Sequence, residues 1–312
     1  MTAGSLQQLL TAELDQPAPP AAQALALELA SRGGGATVAV LYYGSALRAE
    51  SLEGVLDFYV LLDDVRAWPG AWLARQANRL LPPNVGYVET VHAGQRVRAK
   101  FAVMSSAQFA ARVTTDSLDT TIWARFSQPA LLVWSRSDAD HAVVVDLLVA
   151  AVGCAATWAA WLGPLAGTAE DFWRALFART YAAELRVEKQ TRALDIVGKA
   201  PARYAALLPP AWDLAGVHHA RGHDGILATQ VPPEQRRSAA RRWSWRARLG
   251  RPLNILRLLK ASFTFEGAMD YALWKVERHS GVRVEVAPWQ RRWPLLAAPW
   301  LYWKLRRRGV LK

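Results

Sequence analysis

The chain has 312 residues, of which 52% are hydrophobic, so it can bury a sizeable core and is not a disordered protein. Its single cysteine, Cys154, excludes an intramolecular disulfide and points to a reducing compartment. The net charge of +12 is unevenly placed: residues 1–199 carry 17 Lys/Arg against 19 Asp/Glu, whereas residues 200–312 carry 21 against 7. The second part is therefore expected to meet an anionic surface, either nucleic acid or an acidic lipid leaflet.

Met1 to Gln16 holds two acids and no Lys or Arg, which fits neither a secretory signal nor an Arg-rich presequence, so the cytoplasm is the expected location. Residues 21–31 have helical composition and stop at Gly33-Gly34-Gly35. Ala36 to Tyr43 reads as a strand, Gly44-Ser45 as an interruption, and the residues after it as a polar loop. Val55 to Leu62 is a second apolar strand, and Pro69 to Leu81 an amphipathic helix stopped by Pro82-Pro83. Val85 to Val91 and Arg96 to Val103 flank Ala93-Gly94-Gln95 as a hairpin.

From about 142 to 197 the pattern is helical, including Phe172 to Val197, where Glu184, Arg186 and Glu188 read as a charged face. Leu147 to Ala169 is uncharged over 23 positions, long enough to cross a bilayer of roughly 30 Å. It contains Pro164 and is flanked by Asp146 and Glu170-Asp171 with no basic neighbour, so a buried core helix is expected instead. His218, His219 and His223 lie among glycines with no cysteine nearby, and read as a loop rather than a metal site. Three segments follow: a small mixed α/β domain over 1–140, a mainly helical domain over 141–235, and a basic, Trp-rich, membrane-associating region over 236–312.

Gly-Ser at the end of one strand, with an Asp about a dozen residues later on the next, is the arrangement of polymerase-β-like nucleotidyltransferases. Glycine lets backbone approach triphosphate oxygens, and the Ser45 hydroxyl can donate to them. A strand-borne carboxylate, Asp57, can hold Mg²⁺ for in-line attack on the α-phosphorus with loss of pyrophosphate. Many such enzymes carry a second carboxylate two residues on, where this chain has Tyr59; Glu53, Asp63 and Glu89 are the candidates to replace it. No G-x-x-x-x-G-K-[ST] or G-x-S-x-G motif competes.

Tyr43-Gly44-Ser45, Leu56-Asp57-Phe58, Asp63-Asp64 with Trp68, Lys100-Phe101-Ala102-Val103 and Ala124-Arg125-Phe126-Ser127-Gln128-Pro129 occur in an order that resembles the mitochondrial-type phosphatidate cytidylyltransferases. The resemblance covers residues 38–135 and extends loosely to about 190. Ala124 and Gln128 depart from its Gly-Arg-Leu-x-Lys-Pro segment. It implies an α+β nucleotidyltransferase domain followed by a helical, winged-helix-like one, and a Mg²⁺-dependent transfer of CMP from CTP to phosphatidic acid. Gly44 and Ser45 would contact the CTP phosphates, Asp57 would bind Mg²⁺, and Lys100 and Arg125 would neutralise phosphate charge. An RNA or small-molecule acceptor, or an inactive relative that binds membrane or RNA, remains an alternative.

Between Glu234 and Lys260 lie nine Lys/Arg and one acid, interleaved with Trp243 and Trp245 and followed by Leu253, Ile255, Leu256, Leu258 and Leu259. The C-terminus combines Trp289, Trp293, Trp300, Tyr302 and Trp303 with Arg306-Arg307-Arg308. Membrane attachment, nucleic-acid binding and a plain core with a solvated face all fit this composition. A lipid substrate favours peripheral attachment to the inner face of the cell membrane, since Pro294 to Leu305 is too short to span. Oligomeric state is not legible.

Overall fold

The computed structural model describes residues 3–49, 54–183, 196–222, 224–281, 284–292, 300 and 303. It is a mixed α/β protein built on a five-stranded sheet. The strands are β1 (Thr37–Tyr43), β2 (Leu56–Leu62), β3 (Asn84–His92), β4 (Gln95–Ser105) and β5 (Ala130–Ser135), in the order β3-β4-β2-β1-β5. Only β2 and β4 run parallel. The inner strands read as near-continuous apolar runs because both faces of the sheet are covered.

One face packs on α2 (Pro20–Gly33), through Leu25 and Leu29 against Val40, Phe58 and Val60. The other packs on α1 (Ala3–Leu14), α5 (Ser106–Ala110), α6 (Thr121–Phe126) and α7 (Asp138–Leu162). The expected elements between 21 and 103 are present within a few residues, but the loop after Gly44 begins with a one-turn helix, α3 (Ser45–Ala49), and the amphipathic helix is α4 (Trp72–Leu80). Helix α5 carries a capping box in which Ser105 accepts from the Gln108 amide while the Gln108 side chain accepts from that of Ser105.

Helix α7 is the one described helix long and apolar enough to cross a membrane, and 67% of its most apolar window is buried. Protein surrounds it: α1, α6, α8 (Ala169–Ala183), α9 (Pro201–Leu214) and α10 (Pro233–Thr264). The apolar run continues past it through Gly163 and Pro164 into a small antiparallel sheet of β6 (Ala166–Gly167), β8 (Leu227–Thr229) and β7 (His219–Arg221). In β7, His219 rests against the Trp212 ring, 5.2 Å between centroids. His223 and the charged face at Glu184, Arg186 and Glu188 lie outside the described residues.

The three segments anticipated along the chain share one core. It runs from Leu6 in α1 through Tyr59 in β2 and Trp158 in α7 to Trp243 in α10. The basic stretch is thus no separate appendage. Arg236 donates to the carbonyls of Ala160 and Gly163, Arg242 to Thr115 O and Asp116, and Arg246 to Ser117 O, with Arg246 only 3% exposed. These three arginines bind inward to carbonyl oxygens, the strong acceptors left at helix ends and turns, while Arg237, Arg241, Arg248 and Arg251 of the same helix stay exposed.

Further along α10, Lys260 donates to Leu81 O at 2.7 Å and Pro83 O at 2.5 Å. Burial, and then neighbouring Arg257, pull its ammonium pKa down to about 8. The folded value lies below the unfolded one, so the unfolded state binds more protons between about pH 8 and 10.5 and stability rises with pH across that window. Urea unfolding of wild type is expected to show this upward contribution and Lys260→Met to lack it; equal slopes in the two proteins would contradict the assignment.

Candidate functional site

The site is built on a ladder across four strands. Tyr43 in β1 is paired with Asp57 in β2, Asp57 with Lys100 in β4, and Lys100 with Tyr87 in β3. Residues in register project from the same face of a sheet, so these side chains share one face, and Tyr59, two residues after Asp57, joins them. Asp57 and Lys100 are half-buried, at the end of the sheet where β1 leaves through Gly44.

Gly44 has φ +98°, and a Cβ placed there would lie 2.7 Å from Asp57 Oδ2. The glycine is needed both for its backbone conformation and for the carboxylate pressed against it. Ser45 follows, exposed, as the first residue of α3. Gly44→Ala is expected to cost about 1–3 kcal/mol in urea unfolding and to displace Asp57. Unchanged stability would show that the close approach is dispensable.

Beside α3 opens a cleft of about 850 Å³, lined by Tyr42, Ala46 and Leu47 on one side and by Glu13, Pro129 and Arg203 on the other. Its size falls in the range of small-molecule sites. The Arg203 guanidinium and the Glu13 carboxylate form a bidentate pair in its wall. Tyr42 pairs with Phe58 and so points to the opposite face of the sheet from Asp57; burial, and then the Asp57 charge, push its phenol pKa to about 12.

Arg125 reaches this face from α6. Its Nη1 lies 3.2 Å from Tyr59 Oη and 3.5 Å from Tyr43 Oη, and the guanidinium sits over both rings, 5.2 Å from the Tyr43 centroid and 5.7 Å from that of Tyr59. Tyr59, where a second carboxylate was sought, is fully buried and edges onto Phe126. It forms an aromatic floor that receives the arginine. Lys100 Nζ lies 5.3 Å from the centroid of Tyr271, on α11 (Ala268–Ser280).

Deeper on the same side, buried Asp119 takes a bidentate pair from Arg257 of α10, accepts from Thr121 N and Oγ1, and lies 3.7 Å from Arg112 Nε. Tyr59 feels the charges of Arg125, Asp119 and Arg257 together, so these groups form one electrostatic unit behind Asp57. Asp119 and Arg257 were not among the expected site residues, and their 138-residue separation leaves no local signal.

The other proposed carboxylates do not join Asp57. Asp63 follows the far end of β2, roughly 20 Å along the strand, and pairs there with Arg136 at 2.5 Å. Glu89 is on the right face but accepts from Tyr87 Oη at 2.6 Å and pairs with Arg96 and Arg98. Asp63 and Glu89 thus stand in ion pairs away from Asp57, while Glu53 lies outside the described residues. Among the described residues no group of three or more His, Cys, Asp or Glu could hold a metal ion. The donor set still fits Mg²⁺ of the kind that uses one or two protein carboxylates and completes its shell with substrate phosphates and water. No family model matches the chain, and no curated protein matches it.

Proposed function

We propose that the protein is a Mg²⁺-dependent nucleotidyltransferase that transfers CMP from CTP to phosphatidic acid at a membrane surface, giving CDP-diacylglycerol and pyrophosphate. The observation that carries this reading is the contact of Asp57 with the Gly44 turn at the end of β1, with Lys100 in register on the next strand. The choice of CTP and phosphatidic acid comes from the resemblance to the mitochondrial-type phosphatidate cytidylyltransferases.

In this account Asp57 holds Mg²⁺, which when bound neutralises phosphate charge. The bare backbone at Gly44 and the Ser45 hydroxyl take the triphosphate of the nucleotide, whose nucleoside occupies the adjoining cleft. A phosphatidate oxygen bonds to the α-phosphorus as the bond to the bridging oxygen breaks, and pyrophosphate leaves with that electron pair. Phosphatidate is already anionic near neutral pH, so no general base is required. Lys100 and Arg125 supply the proximity and charge screening that two anionic reactants need. The test is purified full-length protein with Mg²⁺, each of the four nucleoside triphosphates, and phosphatidic acid in mixed micelles. CTP-dependent CDP-diacylglycerol is the expected result; a product formed only with an RNA or small-molecule acceptor would overturn the lipid assignment.

A further inference from the structure

The C-terminal half of α10 is inside-out. Its inward face presents Arg257 and Lys260 to Asp119 and to backbone carbonyls, while its outward face presents Leu256, Leu259 and Phe263 to solvent, the last 78% exposed. In water this reverses the ordinary segregation of a surface helix, which puts its apolar stripe inward. The exposed residues are spaced 3 and 4 apart, so they form a single stripe, and Trp245 and Leu249 extend it toward the N-terminus.

The stripe does not end at the helix. Phe263 borders a groove of about 300 Å³ whose other wall is Ala71 and Ala74 at the start of α4, and Lys260 clamps the chain just beyond that helix. Helix α4 adds Trp72, Leu73 and Leu80, exposed by 63, 70 and 85%. Exposed large apolar side chains on two helices that meet at this groove mark an interaction surface.

Charge selects what covers it. The exposed residues of α10 upstream of the patch include Arg237, Arg241, Arg248 and Arg251, and no acidic residue occurs between Glu234 and Glu266. A second copy of the chain would oppose the same positive helix to itself. An anionic leaflet takes the apolar side chains into its acyl boundary and the arginines at its headgroups. We propose that the face formed by α4 and the C-terminal half of α10 is the surface on which the protein docks to an anionic lipid bilayer. This assigns the contact to folded helices rather than to the Trp-rich C-terminus, and it stands on the surface alone, independent of the reaction.

The test is flotation of the full chain with phosphatidylcholine vesicles, with and without phosphatidylglycerol, in the absence of CTP. Wild type floats with the anionic vesicles. Leu259→Glu/Phe263→Glu, two exposed sites whose folding is checked by thermal unfolding, lowers the partition coefficient at least ~30-fold. Arg248→Gln/Arg251→Gln lowers it about fivefold per arginine at low salt. A shortened chain lacking residues 293–312 keeps most of its binding. Flotation of the double-glutamate variant at the wild-type level overturns the proposal, as does a wild-type dimer that the same variant converts to a monomer in sedimentation. Because cytidylyl transfer in detergent micelles needs no bilayer, failure of docking and failure of the proposed reaction are read separately.

Discussion

Asp57→Asn is expected to lower nucleotidyl transfer by on the order of 10³-fold or more while leaving the fold in place. The substitution keeps the size of a half-buried side chain packed against Gly44 but removes the charge that would hold Mg²⁺. Among the described residues no group of three or more His, Cys, Asp or Glu could hold a metal ion, so little would remain to hold Mg²⁺ once that charge is gone. The loss should appear in kcat, since on the proposed reading the triphosphate would still be met by backbone and hydroxyl at Gly44 and Ser45 and by Lys100. Asp63→Asn, at the far end of β2, is expected to leave turnover within about twofold, because it loses only an exposed pair with Arg136. Retained activity in Asp57→Asn, or equal losses in both variants, would refute the site as assigned.

Arg257→Met should be among the most destabilising single substitutions in the chain, costing about 3–5 kcal/mol in urea unfolding at pH 7. It leaves Asp119 buried and stripped of its bidentate partner, with only Thr121 and the more distant Arg112 to answer its charge. In wild type, burial pushes the Asp119 carboxyl up, but Arg257 and then the Thr121 hydrogen bonds hold it below the ordinary range. A carboxylate depressed in this way contributes stability that is present above the unfolded value near ~4 and is lost as pH falls through the folded value. In Arg257→Met the unpaired buried group is raised above its unfolded value, so the deficit relative to wild type should narrow as pH falls through that raised value toward the depressed wild-type one. A deficit that is independent of pH would place the cost in lost packing rather than in the ion pair. Through Tyr59 and Arg125 the same change is also expected to loosen the site.

The strands, the hairpin and the Gly44–Asp57 relation were legible because each is local: alternating or continuous apolar runs, bounded by Gly and Pro, between elements that follow one another in the chain. Strand β5 was hidden because Leu131 to Trp134 is a short apolar run after Pro129, which does not separate strand from helix by periodicity. The role of Tyr59 could not be read, since an aromatic at that position on a strand signals core as readily as a platform for Arg125. Helix α10 was legible as a helix but not in orientation. Its arginines find acceptors at Thr115, Ser117 and Asp119, over 120 residues away, and composition says nothing about which face a distant carbonyl will claim. Hence Arg242, Arg246, Arg257 and Lys260 turn inward, while Arg248 and Arg251 stay exposed and Leu256 and Leu259 lie out.

The proposed transfer of a nucleotidyl group to a lipid phosphate at the Asp57–Gly44 face is measured by following label from CTP into the organic phase. With CTP labelled at the α-phosphorus, Mg²⁺ and phosphatidic acid, wild type is predicted to move label into a chloroform-soluble product in step with pyrophosphate release. With label at the γ-phosphorus none should move, and with Asp57→Asn neither phase should change. Label in the organic phase from the γ-position, or no transfer from any nucleoside triphosphate to any acceptor, would contradict the account.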